Sequence, residues 1–334
     1  MADPRFLAIR MGSMGDIVHT LPAVAALREA FPQAQVDWLV ERKWAPLLAG
    51  NSEISAVISI ERRDIGSVAG TIKRLRSAEY STAIDFQGLY KSAALALASG
   101  APCRIGFAGG FARESVAALM YNSPVTPTGK HVVAQNVSLA EAAGAQRCPI
   151  RFPLPRDAEA EVRMGRQLEV NQLVDFFVVS PGGGWRSKCW PAERYGQLLQ
   201  RLYERLGWRG VISYGLGEEE LCVEACRTAG DSKPLPLPMN LVELMAVLRR
   251  AKCVVAADTG PLHLAAALGT PVVGLYGPTD PARNGPYPTE KNVIVRNAEI
   301  GETTYSRGAE YSAAILSITV DQVVKAVMRR MGMD

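Results

Sequence analysis

The sequence predicts an α/β protein built from two Rossmann-like halves. Short apolar strand segments alternate with helical segments along the chain, which favours mainly parallel sheets covered by helices. Glycine-rich or polar loops follow strands in both halves, as at residues 12–16 and 182–184. A length of 334 residues suits two domains of ordinary size.

The domain boundary is predicted near residues 148–156, which are rich in proline and arginine. We expect an N-terminal Rossmann-like domain over residues 1–155 and a linker region with a charged helical segment over 156–172. A second Rossmann-like domain is predicted over residues 173–316. Residues 317–334 are predicted to form a C-terminal helix, which could pack back on the first domain.

In the first half, a strand at residues 6–9 precedes a glycine turn and a helix over 17–31 that Pro22 starts or kinks. Further strands are predicted at residues 36–40, 56–60, 82–86 and 104–107, with helices within 61–78, at 91–99 and from Arg113 through Met120. In the second half, the predicted strands are 175–180, 211–214, 253–257 and 271–276, and the predicted helices are 240–250, 262–268 and 320–331.

The composition is that of a globular protein with an ample core, with 48% hydrophobic and 21% charged residues. The excess of 37 basic over 33 acidic residues gives a net charge of +4. This is too small to indicate nucleic-acid binding, but it is compatible with a basic face toward an anionic substrate or a membrane surface.

Neither secretion nor membrane insertion is indicated. The six cysteines form no disulfide or metal framework, and the N-terminus has no signal-peptide pattern. No run of residues approaches the ~18 apolar residues of a membrane span. We therefore expect a cytoplasmic protein whose contact with the inner membrane, if any, is peripheral.

The first candidate site is the turn after the opening strand. Gly12 and Gly15 match the last two glycines of a G-x-G-x-x-G fingerprint, but Arg10 stands in place of the first. Asp16 lies at the start of the following helix, where an acid would repel a phosphate. An ionised Asp16 there suits a general base for a hydroxyl, and a helix-capping role explains the spacing equally well.

The second candidate site is the helix start at residues 258–263. Pro261 fits the first helical position, and Thr259 or Gly260 fits the cap. This helix end is better suited to a diphosphate than the first, because Asp258 precedes the cap and no acid follows it. His263 would lie one turn into the helix, as part of the site or as a core histidine.

The third candidate is Lys188, which follows the glycine loop at residues 182–184. The spacing is reminiscent of a P-loop, but no glycine precedes Lys188 and Cys189 follows it, so the motif is not met. Lys188 could neutralise a departing phosphate as a point charge. The chain has no Asp-x-Asp pair to hold a diphosphate through magnesium.

Basic residues are the fourth candidate group, and all of them belong to the first half. Their number would suit an acceptor that carries phosphate or carboxylate groups, although solvated surface positions are the simpler interpretation. They are Arg62, Arg63, Lys91 and Arg113.

Several of these segments, in this order, resemble the ADP-heptose:lipopolysaccharide heptosyltransferases, glycosyltransferase family 9, and within it the heptosyltransferase I branch. The resemblance covers nearly the whole chain. The matching segments are residues 12–16 with Thr20-Leu21-Pro22, residues 84–93, Arg113-Glu114, Lys188-Cys189-Trp190-Pro191, residues 258–263, and residues 276–281.

The resemblance implies the GT-B fold, in which two Rossmann-like domains face each other across a central cleft. It also implies inverting transfer of heptose from ADP-heptose to a Kdo residue of the lipid A inner core, without metal or other cofactor. Asp16 and Lys188 would be catalytic, as general base and as stabiliser of the leaving ADP. Donor-binding residues would be Lys188, Glu219 (or Glu218), Met239, Asp258, Thr259, Gly260 and His263. Acceptor-binding residues would be Ser13, Met14, Gly15, Arg62, Arg63, Gln87, Lys91 and Arg113.

Other functions stay open at this point. Within the family, the alternatives are heptosyltransferase II or a protein O-heptosyltransferase. Outside it, an NAD-dependent oxidoreductase draws on Asp37 and Glu41, which lie near the distance expected for a ribose-binding acid. A non-catalytic nucleotide-binding protein is the third. The glycine-rich residues 181–184 depart from the family pattern, and residues 297–318 match nothing in it.

Overall fold

A computed structural model of the protein describes residues 3–289, 292–297, 299, 303–304 and 308–333. The chain divides into two compact units, Met1–Pro155 and Arg156–Asp334. Each unit contains one six-stranded sheet whose neighbouring strands pair in parallel. The α/β class predicted from the sequence is confirmed.

Unit 1 has the strand order β3-β2-β1-β4-β5-β6. The strands are β1 (Arg5–Ile9), β2 (Gln35–Glu41), β3 (Ala56–Ile60), β4 (Thr82–Asp85), β5 (Cys103–Phe107) and β6 (Ser123–Val125). The helices are α1 (Met14–Val18), α2 (Leu21–Ala30), α3 (Ile65–Ser77), α4 (Tyr90–Ala98) and α5 (Val132–Ala142), with 3-10 turns at Arg42–Leu47 and Ser115–Met120.

Unit 2 has the strand order β12-β11-β10-β7-β8-β9. The strands are β7 (Phe176–Ser180), β8 (Arg209–Tyr214), β9 (Leu235–Pro238), β10 (Cys253–Ala257), β11 (Val272–Leu275) and β12 (Val293–Val295). The helices are α6 (Ala158–Val170), α7 (Ala192–Leu206), α8 (Glu219–Thr228), α9 (Leu241–Leu248), α10 (Gly260–Ala267), α11 (Pro281–Asn284), α12 (Ala313–Leu316) and α13 (Val320–Met331), with 3-10 turns at Arg186–Lys188 and Gly230–Ser232.

The two units share one topology. Counted within its own unit, the first strand pairs with the second on one side and with the fourth on the other, which is the Rossmann order. The switch point therefore lies between β1 and β4 in unit 1 and between β7 and β10 in unit 2. Loops leaving these four strands are where ligands bind in open α/β sheets.

Central strands are buried on both faces, as parallel sheets require. Every residue of β7 and of β10 is buried, which matches their continuous apolar sequences. In unit 2, Trp190 meets Tyr195 edge to face at 5.0 Å and donates its indole N–H to the carbonyl of Ile318.

The helices at the two ends of unit 2 pack within that unit. Helix α6, in the segment predicted to be a linker, packs against α9. Helix α13 begins with a capping box between Thr319 and Gln322 and ends at Gly332 in the left-handed conformation. It packs against α7, β11 and β12.

Some predicted elements differ from the observed ones. The single helix predicted over 17–31 is two helices, α1 and α2, interrupted at His19 and Thr20 because Pro22 cannot continue α1. The helix predicted through Met120 is a 3-10 turn. In the parts of the chain that the structure describes, no helix is long and apolar enough to cross a membrane.

Candidate active site

Asp16 lies at the carboxyl end of β1, in the first turn of α1. The backbone N–H and the hydroxyl of Ser13 donate to its Oδ2 at 3.1 and 3.0 Å. These contacts belong to a helix-capping box, so the capping role that the sequence left open is present. Its other oxygen, Oδ1, forms an ion pair with Nη2 of Arg10 at 2.6 Å.

The surroundings of Asp16 keep its carboxyl group ionised. Burial by itself would raise the pKa of Asp16, but the guanidinium of Arg10, the hydrogen bonds from Ser13 and the charge of Arg113 hold the pKa below its ordinary value. The side chain is still 30% exposed. Asp16 is therefore an accessible carboxylate at neutral pH.

Arg10 is buried and joins the loops after β1 and β4. Its guanidinium donates to the carbonyl of Phe86, and its own carbonyl accepts the indole N–H of Trp38 at 3.1 Å. The side chain of Gln87 accepts the backbone N–H of Met11 at 2.9 Å. The acceptor candidate Gln87 thus lies against the loop that carries Asp16.

Asp85 fixes the loop that contains Gln87. Its Oδ1 accepts the N–H groups of Gln87 and Gly88 at 2.8 and 3.3 Å, and its Oδ2 accepts the hydroxyl of Tyr121 at 2.7 Å. The side chain is completely buried, which raises its pKa although these hydrogen bonds favour the ionised form. No role for Asp85 or Tyr121 was predicted from the sequence, because residue type alone gives no signal of their contact.

The residues predicted to bind the acceptor lie on different segments around Asp16. Ser13, Met14 and Gly15 form the start of α1. Gly88 adopts φ +66°, and a Cβ there would lie 3.1 Å from the backbone nitrogen of Arg113, so the Arg113 loop passes close to the Gln87 loop.

The other three basic residues predicted to bind the acceptor lie further from Asp16. Arg62 forms an ion pair with Glu41, whose carboxylate is 3.8 Å from the Cβ position of Gly12. Arg63 and Lys91 are exposed, the first in the turn before α3 and the second on α4. The structure therefore brings Arg62 and Arg113 toward the Asp16 loop.

Asp258 is the centre of a second cluster, at the end of β10 in unit 2. Its Oδ2 binds Nζ of Lys188 at 2.6 Å, and its Oδ1 lies 3.0 Å from Nε2 of His263. The hydroxyl of Thr279 donates to Oδ2 at 2.7 Å, and the amide of Asn284 lies 3.0 Å from both oxygens. The structure thus brings Lys188, Asp258 and His263 together.

Asp258 is ionised although it is buried. Burial would raise its pKa, but hydrogen bonds and charge from His263 and Lys188 lower it well below the ordinary range. Thr279 and Asn284 were not predicted from the sequence as partners of Asp258. Thr279 lies in the matching segment at residues 276–281, and its position after β11 was the available signal.

The glycine loop at residues 182–184 packs against the start of α10. A Cβ at Gly183 would lie 2.7 Å from Cγ2 of Thr259 and 2.9 Å from Sγ of Cys189, so only glycine allows this approach. Thr259 is the N-cap residue of α10, and Pro261 lies in its first turn. Gly260 is the first residue of the helix, with its amide among the unpaired N–H groups of a helix start.

Two further donor candidates lie near the carboxyl ends of β8 and β9. Glu219 begins α8, is exposed, and accepts the N–H of Gly217 at 3.2 Å. Glu218 accepts the N–H of Gly215 at 2.9 Å, and its carboxylate occupies the space where a Cβ of Gly182 would lie. Met239 follows β9 and donates its N–H to the carbonyl of Tyr214 at 3.2 Å.

The segment that matched nothing in the family pattern also reaches the Lys188 loop. The guanidinium of Arg186 stacks on the ring of Tyr311 at 4.3 Å, and a Cβ at Gly308 would lie 3.0 Å from Ser187. The ammonium of Lys188 lies 4.2 Å from the ring centroid of Trp185. Within the described ranges, the His, Cys, Asp and Glu side chains form no group of three that could hold a metal ion.

Two Rossmann units, each with a polar cluster at its switch point, are the architecture of the GT-B glycosyltransferases. A solved structure described as E. coli heptosyltransferase WaaC with ADP superimposes with a TM-score of 0.78 at 27% identity, covering 98% of this chain and 99% of that one. The GT-B fold that the resemblance implied is confirmed.

The chain belongs to glycosyltransferase family 9, the heptosyltransferases, whose sequence profile matches residues 68–310. It is 33% identical over 303 residues to lipopolysaccharide heptosyltransferase 1 of Pseudomonas aeruginosa, covering 85% of this chain and 81% of that protein. It is 32% identical over 295 residues to lipopolysaccharide heptosyltransferase 1 of Salmonella typhimurium, covering 85% and 91%. The hypotheses of an oxidoreductase and of a non-catalytic protein are therefore set aside.

Proposed function

We propose that this heptosyltransferase transfers heptose from ADP-heptose to a Kdo residue of the lipopolysaccharide inner core. The observation that carries the proposal is the Lys188–Asp258–His263 cluster beside the glycine loop and the start of α10. The relatives named above are lipopolysaccharide heptosyltransferases. Solved structures of one heptosyltransferase contain ADP and ADP-2-deoxy-2-fluoro heptose.

In this proposal the donor diphosphate lies at the N-terminus of α10. The amide group of Gly260, which follows the N-cap Thr259, and the helix dipole favour an anion there. Lys188 neutralises the charge that develops on ADP as the sugar leaves, and His263 lies one turn into the same helix. Glu219 and Met239, at the ends of β8 and β9, lie on the adenosine side.

Asp16 is the proposed general base. Its carboxylate takes the proton of the acceptor hydroxyl while that oxygen forms a bond to the anomeric carbon of heptose. The bond between this carbon and the phosphate oxygen breaks, and ADP leaves with the electron pair. Attack from the face opposite ADP inverts the configuration. Because Arg10 and Ser13 already stabilise the anion, we expect proton transfer late, when the hydroxyl has become acidic through attack.

Acceptor binding is assigned to the loops around Asp16. Ser13, Met14 and Gly15 form the start of α1, where Ser13 is exposed, and Gln87 lies on the adjoining loop. The positive charge of Arg113 lowers the pKa of Asp16, and Arg62 forms an ion pair with Glu41, which lies beside the Asp16 loop. We assign the carboxylate and phosphate groups of the acceptor to Arg62, Arg113 and the outlying Arg63 and Lys91.

The decisive test is Asp16→Asn, assayed as ADP release from ADP-heptose with a Kdo-bearing acceptor. Asparagine still accepts the Ser13 hydrogen bonds and keeps the helix cap, but it cannot take a proton. We expect turnover to fall ~10²-fold or more, while ADP binds nearly as in the wild type by calorimetry. Near-normal turnover would show that Asp16 only caps α1.

Asp64→Asn is the matched control. Asp64 caps α3 in the same unit by accepting the N–H of Gly66, and asparagine caps as well as aspartate. We expect wild-type turnover. A panel of acceptors and nucleotide sugars in the same assay separates Kdo transfer from the heptosyltransferase II and protein O-heptosyltransferase alternatives.

Metal independence is a separate prediction. In the proposal Lys188 and the start of α10 supply the positive charge that a magnesium ion supplies in other transferases. Turnover should therefore be undiminished by EDTA, and Lys188→Ala should weaken both turnover and ADP affinity. Loss of activity in EDTA with recovery on adding magnesium would contradict this scheme.

We also propose that the enzyme works at the cytoplasmic face of the inner membrane. The proposed acceptor is lipid-linked, so its Kdo residue lies close to the membrane surface. A peripheral contact would bring the loops around Asp16 to that surface without a spanning segment.

A further inference from the structure

We propose that unit 1 docks on anionic membranes through a face made by α4, the 3-10 turn Ser115–Met120 and the segment 108–114 that leads into this turn, here called the docking face. The inference deepens the proposed function, since it identifies the surface that would meet a lipid-linked acceptor. Its apolar members are Tyr90, Leu97, Phe111, Val116 and Leu119, and its basic members are Arg76, Lys91, Arg104 and Arg113.

The apolar side chains of the docking face are unusually exposed for their size. Leu119 is 84% exposed, and the other four members are between 48% and 52% exposed. Large apolar side chains scattered singly are normal on protein surfaces, but a cluster on neighbouring elements marks an interaction site.

Helix α4 and the 3-10 turn lie side by side and run in the same direction. Ala93 of α4 packs against Ala117 and Tyr121. At one end the carboxylate of Glu114 accepts the N–H of Tyr90 at 2.6 Å. At the other end Arg104 donates to the carbonyls of Met120 and Ala101, both at 3.0 Å. The pair thus forms one continuous surface.

Helical spacing collects the apolar side chains into rows. Tyr90 and Leu97 are seven residues apart and share one side of α4. Val116 and Leu119 are three residues apart and share one side of the 3-10 turn. Since Ala93 and Ala117 occupy the contact between the elements, these rows remain exposed along it.

The charges on this face favour an anionic surface. Between residues 90 and 121 the sequence has three bases, Lys91, Arg104 and Arg113, and a single acid, Glu114. The carboxylate of Glu114 is engaged by the N–H of Tyr90. Arg76 extends the basic border from α3, because its guanidinium donates to the carbonyl of Ala98 at the end of α4.

An anionic lipid surface fits better than a second copy of the chain. A two-fold contact through this face would place its bases against the same bases of the partner. Apolar side chains bordered by lysine and arginine suit the interface of a membrane with anionic headgroups, where both groups find favourable partners.

The test is cosedimentation of the full-length protein with lipid vesicles. We expect binding to vesicles of phosphatidylethanolamine and phosphatidylglycerol, weakening with salt, and little binding to phosphatidylcholine alone. The double variant Val116→Glu/Leu119→Glu should lower the apparent affinity for anionic vesicles at least ~10-fold, since both apolar contacts are lost.

The matched control is Val170→Glu/Val174→Glu, which alters two apolar residues of unit 2 that are 80% and 83% exposed. We expect it to bind vesicles as the wild type does. The inference is overturned if the wild type ignores anionic vesicles, if both double variants bind like the wild type, or if the docking-face variant instead converts a dimer to a monomer in sedimentation velocity.

Activity separates this inference from the proposed function. With a water-soluble Kdo acceptor that lacks acyl chains, the docking-face variant should turn over ADP-heptose at the wild-type rate. Vesicle binding without heptose transfer would refute only the proposed function. Heptose transfer with unaltered vesicle binding in the variant would refute only the docking face.

Discussion

At the scale of single residues, Asp16 has the capping contacts that the sequence allowed and also an ion pair that the sequence did not predict. One oxygen completes a capping box with Ser13, and the other pairs with Arg10. The capping role followed from spacing, because Ser13 and Asp16 are three residues apart. The ion pair did not, since Arg10 was interpreted only as a missing glycine. The pair depends on how the loop after β1 folds, which brings the guanidinium of Arg10 to Asp16.

Arg10→Met should shift the pH dependence of catalysis if Asp16 is the base. The guanidinium lowers the pKa of Asp16, so its removal raises that pKa and protonates the base at higher pH. We expect the acidic limb of the kcat/KM profile to move to higher pH. Arg10→Lys, which keeps the charge, should shift it less.

An unchanged acidic limb in Arg10→Met would mean that the ionisation seen in the kcat/KM profile is not that of Asp16. Circular dichroism and thermal unfolding of both variants show whether the buried position tolerates the change. A folded variant with the expected shift would link the ion pair to the reaction.

At the scale of elements, the strands were predictable where their sequences are mainly apolar and contain no proline. The strands at residues 56–60 and 253–257 were predicted with the observed bounds. Three strands were missed, β6, β9 and β12. Each lies at a sheet edge, β6 and β12 have only three residues, and β6 and β9 contain proline, which edge strands tolerate.

The site could be predicted only in part for a related reason. Lys188, Asp258 and His263 follow from their places after β7 and β10, and the structure brings them together. Asn284 belongs to a four-residue helix whose approach to Asp258 depends on the tertiary fold. A local sequence pattern cannot predict this contact, because Asn284 and Asp258 are 26 residues apart in the sequence.

The glycine loop gives a sharp element-scale prediction. Gly183→Ala places a methyl group 2.7 Å from Thr259 and 2.9 Å from Cys189, so the loop and the start of α10 must separate. Overpacking of this kind costs about 1–3 kcal/mol, and we expect ADP to bind ~10-fold more weakly by calorimetry.

Gly184→Ala is the neighbouring control. A Cβ at Gly184 meets nothing within 4 Å, so ADP affinity and thermal stability should stay at wild-type values. Equal effects of both substitutions would mean that loop flexibility, and not close packing against Thr259, governs donor affinity.

At the scale of the whole molecule, two units repeat one strand order and place a carboxylate at each switch point. The sequence predicted two halves, but the shared order depended on edge strands that it did not reveal. The carboxylates couple the stability of the protein to pH. Asp16 and Asp258 have lowered pKa values, whereas the pKa of Asp85 is raised by burial.

Acid should destabilise the protein chiefly through Asp258. A lowered folded-state pKa contributes stability above the unfolded value of about 3.9, and this stability is lost as pH falls toward the folded pKa. The effect of Asp85 on stability has the opposite pH dependence, because its pKa is raised in the folded state. Its stabilising contribution is complete below about pH 3.9 and is lost as the pH rises. We expect the free energy of unfolding in urea to fall as the pH drops below about 5.

Asp258→Asn should flatten this dependence and lower stability at neutral pH by about 3–5 kcal/mol, because Lys188 loses its partner. Asp157→Asn, which replaces the cap of α6 in the same unit, should leave the slope unchanged. Parallel pH profiles for Asp258→Asn and the wild type would assign the acid sensitivity elsewhere.

The ion pair between Lys188 and Asp258 also bears on the end of the catalytic cycle. In the proposed mechanism Lys188 turns to the diphosphate while ADP is bound and returns to Asp258 when the product departs. Dissociation then leaves no buried ammonium without a counterion, which lowers the barrier to product release. The same competition handicaps small anions such as free phosphate, since they must displace Asp258 without the additional contacts that a nucleotide makes. The Asp258 carboxylate thus favours rapid release of ADP and weakens inhibition of the empty enzyme by small anions.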